Sequence, residues 1–254
     1  WLMARQFHGF SANTRHAAAV AARVTRIPPP RWSLTYNGFD FSLLVPNTPR
    51  EIVAEALGLP HNSLVVGTAA NLRRLKRVDL LISAFRAIPH PEAYLVVLGD
   101  GPDRQRLVEH ATSAGLGQRV LFPGMQRHPL DYFQIMDCFV LPSGQGESFG
   151  NAVVEAMALG IPSIVFADGG GLPEHIENQA TGYIVNSVDD LAERLHLLLS
   201  DADLRRRIGA AGAAAVRTRY SLQNMTAAYD RLYDSAFACK RQLTSRVNDC
   251  QGAQ

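Results

Sequence analysis

Long apolar runs are missing from this chain. Nowhere in its 254 residues does a stretch approach the ~18 to 20 consecutive apolar positions that a bilayer-spanning helix requires, and no signal-peptide pattern is visible. An excess of one charge is missing too: 25 Lys and Arg stand against 23 Asp and Glu, a formal net charge of +2. The basic residues are scattered among acidic ones, which argues against a nucleic-acid-binding protein with its basic stripe. The one local exception is Arg73-Arg74-Leu75-Lys76-Arg77. Cysteine is scarce. Cys138, Cys239 and Cys250 share no metal-ligand spacing and leave one over, a usage that fits a reducing compartment. Cys138 sits in an apolar run and reads as a small core residue. What remains, 47% apolar and 19% charged residues, is the balance of an ordinary globular protein with one large core or two small ones.

Along the chain, residues 11–24 read as a short helix capped by Ser11 or Asn13, broken by Pro28-Pro29-Pro30. Residues 32–36 alternate like a strand and end at the Asn37-Gly38 turn signal. From Leu64 short apolar runs recur at 64–68, 94–98, 120–122, 138–141, 163–166 and 183–185. Several lack alternation, as strands buried on both faces do. Helix-period stripes lie between them: Val78, Leu81, Ile82 and Phe85; Leu107, Val108 and Ala111; Ala152, Val153, Ala156 and Leu159, stopped by Gly160 and Pro162. Strands alternating with helices predict an α/β fold, a Rossmann-like parallel sheet with helices on both faces. After Val185 the pattern turns helical, over 188–199, 202–217 and 222–238. Residues from Lys240 are polar and expected to fray.

Ligands of open parallel sheets bind beyond the carboxyl ends of the strands. The segments that follow the runs are Ala69–Lys76, Gly99-Asp100-Gly101-Pro102, Gly124-Met125-Gln126, Pro142–Gly150 and Asp168-Gly169-Gly170-Gly171. Glycine and charge therefore collect on one edge, where glycine lets a ligand approach the backbone, although turns between strand and helix favour the same residues. The fourth segment leads into a helix. Amides of Ser148, Phe149, Gly150 and Asn151 at that helix start suit an anion. Glu147 and Glu155 can face one cleft there and accept hydrogen bonds from hydroxyl groups. A sugar attached to a nucleoside diphosphate has that pattern of groups. Equally, Glu147 can serve the helix dipole while Glu155 faces solvent; the spacing does not choose. Lys76, with Arg73, would neutralise the diphosphate. The eight histidines are scattered and read as surface or structural residues rather than ligands, and Asp137 as a strand-start residue.

These residues form an ordered series of motifs. Tyr36-Asn37-Gly38-Phe39-Asp40, Asn71-Leu72-Arg73 through Lys76-Arg77-Val78-Asp79-Leu80-Leu81, Leu98-Gly99-Asp100-Gly101-Pro102, Glu147-Ser148-Phe149-Gly150 through Glu155-Ala156-Met157-Ala158, Gly170-Gly171-Leu172-Pro173-Glu174 and Thr181-Gly182 together resemble glycosyltransferase family 4. That family comprises retaining, nucleotide-sugar-dependent enzymes of the GT-B fold. The resemblance covers residues 11–237 and places this chain as the C-terminal, donor-binding half.

The resemblance implies roles. Lys76 and Glu147 would be the catalytic pair, Lys76 on the diphosphate and Glu147 on the donor sugar's hydroxyls. Asn71, Arg73, Met125, Ser148, Phe149, Gly150, Asn151 and Glu155 would complete the donor site, with Glu155 holding the ribose and Met125 lining the base pocket. The nucleotide sugar is a co-substrate; neither a metal nor another cofactor is expected. The acceptor would be a glycan or glycolipid, the location cytoplasmic at the inner face of the membrane, with peripheral membrane contact through the absent half. The division implied is 1–35 as the remnant of an N-terminal acceptor domain, 36–220 as the nucleotide-sugar-binding Rossmann-like domain, 221–239 as a crossover helix and 240–254 as a polar tail. The start at Trp1 fits a truncation, and the piece alone is expected to transfer poorly.

Three positions depart from the family pattern: Asn71 stands where Arg is usual, with Arg73 expected to compensate, Arg77 where Gly is usual, and Ser148 for Gly. Two alternatives are a nucleotide-sugar epimerase of the same fold, disfavoured by the Glu147/Glu155 pair, and a non-catalytic donor-binding fragment. A dinucleotide-dependent dehydrogenase lacks its glycine turn, because Gly67 is followed by Thr68-Ala69-Ala70.

Overall fold

The computed structural model of the chain describes Phe7 and residues 9–251, with side chains as far as Ala238. Expectations placed on Trp1, His8 and 252–254, and on the side chains of Cys239 and Cys250, lie outside the described residues. Two compact units divide the chain. One takes the segment up to Phe39 and the segment from Tyr220 onward; the other is Asp40–Arg219.

In the first unit, β1 (Phe10–Ala12) precedes α1 (Arg15–Thr25) and pairs in parallel with β2 (Trp32–Leu34). The cap of α1 is Thr14, whose Oγ1 accepts from the Ala17 amide at 3.0 Å. Ser11 belongs to β1 instead of the helix. Its pairing partner is Ser33, and Phe10 packs against Trp32 with centroids 5.3 Å apart. Local periodicity does not register a partner twenty residues away.

The second unit holds, in chain order, α2 (Arg50–Ala56), β3 (Leu64–Ala69), α3 (Val78–Ala87), β4 (Ala93–Leu98), α4 (Arg104–Ser113), β5 (Val120–Gly124), α5 (Pro129–Phe133), β6 (Cys138–Leu141), α6 (Asn151–Ala158), β7 (Ser163–Phe166), β8 (Tyr183–Val185), α7 (Val188–Ser200) and α8 (Ala202–Arg219). Six strands form one parallel sheet in the order β5-β4-β3-β6-β7-β8. Both β6 and β7 are buried at every position, as their unbroken apolar sequences predicted. Alternate residues Val66, Leu95, Val97, Cys138, Val140 and Ile164 join one core with Leu81, Phe85, Leu107, Leu191 and Leu195 of α3, α4 and α7. On the other face Phe139 meets Phe133 with ring centroids 5.3 Å apart, and α6 packs beside α8. Burial pushes the Cys138 thiol far above its ordinary range, which makes it an inert core residue.

Neither α2 nor α5 is foreseen by periodicity, since both are too short to show a stripe. Asp131 of α5 fixes the start of α2: its carboxylate accepts from the Thr48 hydroxyl at 2.8 Å and from the Asn47 and Thr48 amides. The first unit closes with α9 (Leu222–Gln251). That helix continues past Ala238, where the sequence reading ended it. No Gly or Pro lies between Leu222 and Gln251, and Lys240-Arg241-Gln242-Leu243 are good helix formers.

The close pairing of α6 with α8 rests on Gly209. A methyl group there would lie 1.8 Å from the Gly160 carbonyl oxygen, a backbone atom that a rotamer change does not move. Ala for Gly inside a helix ordinarily gains about 0.5–1 kcal/mol, but overpacking costs about 1–3 kcal/mol and should win. Gly209→Ala is expected to lower the urea midpoint; an unchanged or raised midpoint contradicts this packing.

Candidate functional site

In the strand order β5-β4-β3-β6-β7-β8 the direction of winding reverses between β3 and β6. Open sheets place their ligand crevice at such a reversal, beyond the carboxyl ends. The loops leaving β3 and β6 are 70–77 and 142–150, which hold most of the residues singled out from sequence. Backbone hydrogen bonds knit this edge together. The Leu72 amide donates to the Asp100 carbonyl at 2.8 Å, Gly144 to Leu75 at 3.0 Å, and Gly171 to Glu147 at 3.0 Å.

Arg77 holds the centre of this edge. Its backbone is left-handed, φ 48°, a region that costs a non-glycine residue about 1–2 kcal/mol. The position that glycine takes in the related motif is thus one with positive φ. Arg77 offsets the strain through its side chain. Nε donates to the Pro142 carbonyl at 2.7 Å and Nη2 to the Ser143 carbonyl at 3.0 Å. The Asp168 carboxylate takes two further bonds, at 2.7 and 2.6 Å, and the guanidinium lies 4.9 Å from the Phe166 ring centroid. The hydrogen bonds from Arg77 hold the Asp168 carboxyl below its ordinary pKa. One side chain therefore ties the end of the β3 loop to the loops that follow β6 and β7.

Beside this clamp Lys76 forms an ion pair with Glu147. Both side chains are mostly shielded, 21% and 12% exposed. Structure brings these two together although 71 positions separate them. Asn71 and Met125 also come together: both line a cavity of about 260 Å³ with Ala69, Gly99, Asp100 and Gln126. Glu155 sits elsewhere. It lines a second cavity of about 300 Å³ with Leu44, Asn47, Arg127 and His128, and Pro129 borders both spaces. Burial raises the Glu155 carboxyl above its ordinary pKa. Neither Lys76 nor Glu147 lines either cavity. Arg73 is exposed, one residue ahead of the 3-10 turn Arg74–Lys76.

At the helix start, Ser148 and Asn151 are exposed and Phe149 is buried. Gly150 precedes α6 with φ 74°, and a methyl group on it would lie 2.2 Å from Leu172 Cδ2. At Gly170, φ 64°, an added methyl would lie 2.1 Å from the Glu147 carbonyl oxygen. At these two glycines it is protein, packed loop against loop, that comes close.

His175 is the residue that periodicity leaves unmarked. It is buried, its Nε2 lies 2.5 Å from the Phe149 carbonyl oxygen, and the two rings pack edge to face. It anchors the loop before α6 from the segment after β7. Only its place in the Leu172–His175 turn, next to the motif Gly170–Glu174, hints at this. Burial holds the His175 pKa down at about 4.

Residues 49–215 match the family model of the glycosyl transferases group 1. A D-inositol 3-phosphate glycosyltransferase from Xylanimonas cellulosilytica is 33% identical over 238 residues, covering 89% of this chain and 56% of the relative. The chain spans about half the length of the curated relatives it matches. Among solved structures, Anabaena Alr3699/HepE in complex with UDP has the same fold. Its TM-score is 0.82 at 24% identity, over 90% of this chain and 64% of that one. The C-terminal domain of a glycosyl transferase group 1 family protein, LpcC from Francisella tularensis, is covered over its whole length by 73% of this chain. It has 27% identity and a TM-score of 0.64.

Two predictions follow from the clamp and the anchor. Arg77→Ala and Arg77→Gly both lose the guanidinium bonds and should both destabilise. Only the Ala variant keeps the left-handed strain, so it should be the less stable by about 1 kcal/mol. Equal urea midpoints contradict this. His175 is neutral in the fold and titrates near its ordinary 6.5 when unfolded. The unfolded chain binds more protons between those values. Stability is therefore complete above about pH 6.5 and is lost as pH falls toward 4, by up to roughly 3 kcal/mol. His175→Gln should flatten that loss between pH 7 and 5; a slope equal to the parent's refutes it.

Proposed function

The chain belongs to the glycosyl transferases group 1 family, and from that we propose that it is the donor-binding half of a retaining family 4 glycosyltransferase. The observation that carries this reading is the Lys76–Glu147 pair, set where the sheet reverses its winding and beside the start of α6. A mostly shielded ion pair is weak evidence of stabilisation. A cation held in place for an arriving diphosphate accounts for it better.

In this reading the diphosphate meets Lys76 and the amides of Phe149, Gly150 and Asn151. Lys76 then stabilises the negative charge that develops on the leaving nucleoside diphosphate. Glu147, released from part of its ion pair, accepts hydrogen bonds from the sugar hydroxyls. The cavity lined by Asn71 and Met125 takes the base, and Glu155, in the adjoining space, takes the ribose. Arg73, exposed two residues further along the same loop, supplies the charge that Asn71 lacks. Retention requires the acceptor hydroxyl oxygen to bond to the anomeric carbon on the face that the diphosphate oxygen leaves, with the hydroxyl proton passing to an oxygen of the departing diphosphate. The Anabaena neighbour's UDP makes a uridine nucleotide the first to try. The acceptor, a glycan or glycolipid, belongs to the half of the relatives that this chain does not span, as do a cytoplasmic setting at the inner membrane face and contact with the membrane. The chain by itself should bind donor and transfer little.

A thermal-shift panel of nucleoside diphosphates and their sugars, followed by calorimetry, tests this. At least one nucleoside diphosphate should raise the Tm. Lys76→Ala should weaken it about tenfold or more, the loss of one charge-assisted contact. Glu147→Gln should weaken the sugar nucleotide while leaving the plain diphosphate unchanged or tighter. If no nucleotide in the panel binds, the reading is wrong.

A further inference from the structure

The opposite, amino edge of the sheet carries a cluster that the donor site does not use. His90 lies three residues before β4 and His196 just ahead of the last turn of α7. His90 Nε2 is 3.0 Å from His196 Nδ1. Ser200 Oγ lies 3.3 Å from the first and 3.2 Å from the second. The other nitrogen of His90 is 3.0 Å from a Glu92 carboxylate oxygen. We propose that His90 and His196, with Ser200 beside them, form a weak clip for a borderline divalent cation such as Zn²⁺ or Ni²⁺, which ties β4 to α7.

Three features carry this. First, the three atoms make a nearly equilateral triangle. Ligands at about 2.0–2.1 Å from a tetrahedral zinc lie about 3.3 Å apart, so the observed edges of 3.0, 3.3 and 3.2 Å need to open by only a few tenths of an ångström. The fourth position faces solvent, since His196 and Ser200 are exposed. Second, Glu92 on His90 Nδ1 fixes the proton there and leaves the Nε2 lone pair toward the triangle. This is the carboxylate–histidine arrangement that orients metal ligands. Third, the ligands stand on fixed backbone. The His90 carbonyl accepts from Arg119 Nη1 at 2.9 Å and from the Ala93 amide at 3.1 Å, and α7 is packed through Leu195, Leu198 and Leu199. Among the described residues no group of three or more His, Cys, Asp or Glu side chains can hold a metal. The clip therefore has two nitrogen ligands and one hydroxyl, and its affinity is modest.

The test is a thermal melt of the whole chain with ZnCl₂ or NiCl₂ at rising concentration, with MgCl₂ as the oxygen-preferring control. The expected result is a Tm rise of roughly 2 °C or more with Zn²⁺ or Ni²⁺, none with Mg²⁺, and reversal by a chelator. His196→Gln, an exposed substitution that should spare the fold, is expected to weaken the metal at least tenfold; His90→Asn should do the same. No rise in the parent overturns the proposal, and so does an equal rise in His196→Gln, which would assign the metal to other residues. The melt needs no nucleotide, so its result is independent of the donor-site reading.

Discussion

Much of the working edge of this protein depends on one strained residue. Arg77 holds a left-handed backbone that turns the chain from the 3-10 turn Arg74–Lys76 into α3, and so fixes where Lys76 stands. The strain costs about 1–2 kcal/mol. Four hydrogen bonds and a ring contact offset it, and they do more than stabilise. The guanidinium presents its donors in a fixed plane, so loops that leave three different strands are held to one geometry. A glycine here would remove the strain and the clamp together.

The glycine-rich loops act with the clamp. Glycine at a strand's carboxyl end is often there so that a ligand can approach closely. At Gly150 and Gly170 the space a side chain would need is taken by Leu172 and by the Glu147 carbonyl. The loops interlock, with His175 closing the stack through Phe149. Under the proposed reading, a site built this way is arranged before its ligand arrives, and that lowers the cost of ordering on binding. Under the proposed reading, the Lys76–Glu147 pair is part of that arrangement: each partner keeps the other in place until the diphosphate and sugar divide them.

Under the two proposals the edges of the sheet have separate tasks. At the carboxyl edge the polar groups converge around the reversal between β3 and β6. At the amino edge His90, His196 and Ser200 lie where α7 has returned across the sheet, remote in topology from the donor groups. The same parallel winding produces both: all strands point one way, so each helix must carry the chain back to the start of the next strand.

The sequence by itself determined the sheet. Six of its short apolar runs became the six strands, at nearly the boundaries read, because a strand buried on both faces must be apolar throughout. Strands alternating with helices required parallel winding; the strand order, and with it the reversal that brings loops 70–77 and 142–150 together, was decided by the tertiary structure. What local pattern did not determine was pairing at a distance. It missed β1, whose partner is Trp32–Leu34, the short helices α2 and α5, and the cap at Thr14. It left open whether Glu147 and Glu155 face one cleft; the tertiary structure pairs Glu147 with Lys76 and gives Glu155 a cavity beside His128. It marked Arg77 as unusual without showing that its side chain would span to Asp168. Periodicity and motif spacing report which backbone a segment prefers and which residues share a loop. Which charges meet, which glycines are filled by neighbouring protein and which histidines face each other are decided only when distant segments pack, because those contacts exist between elements and not within them.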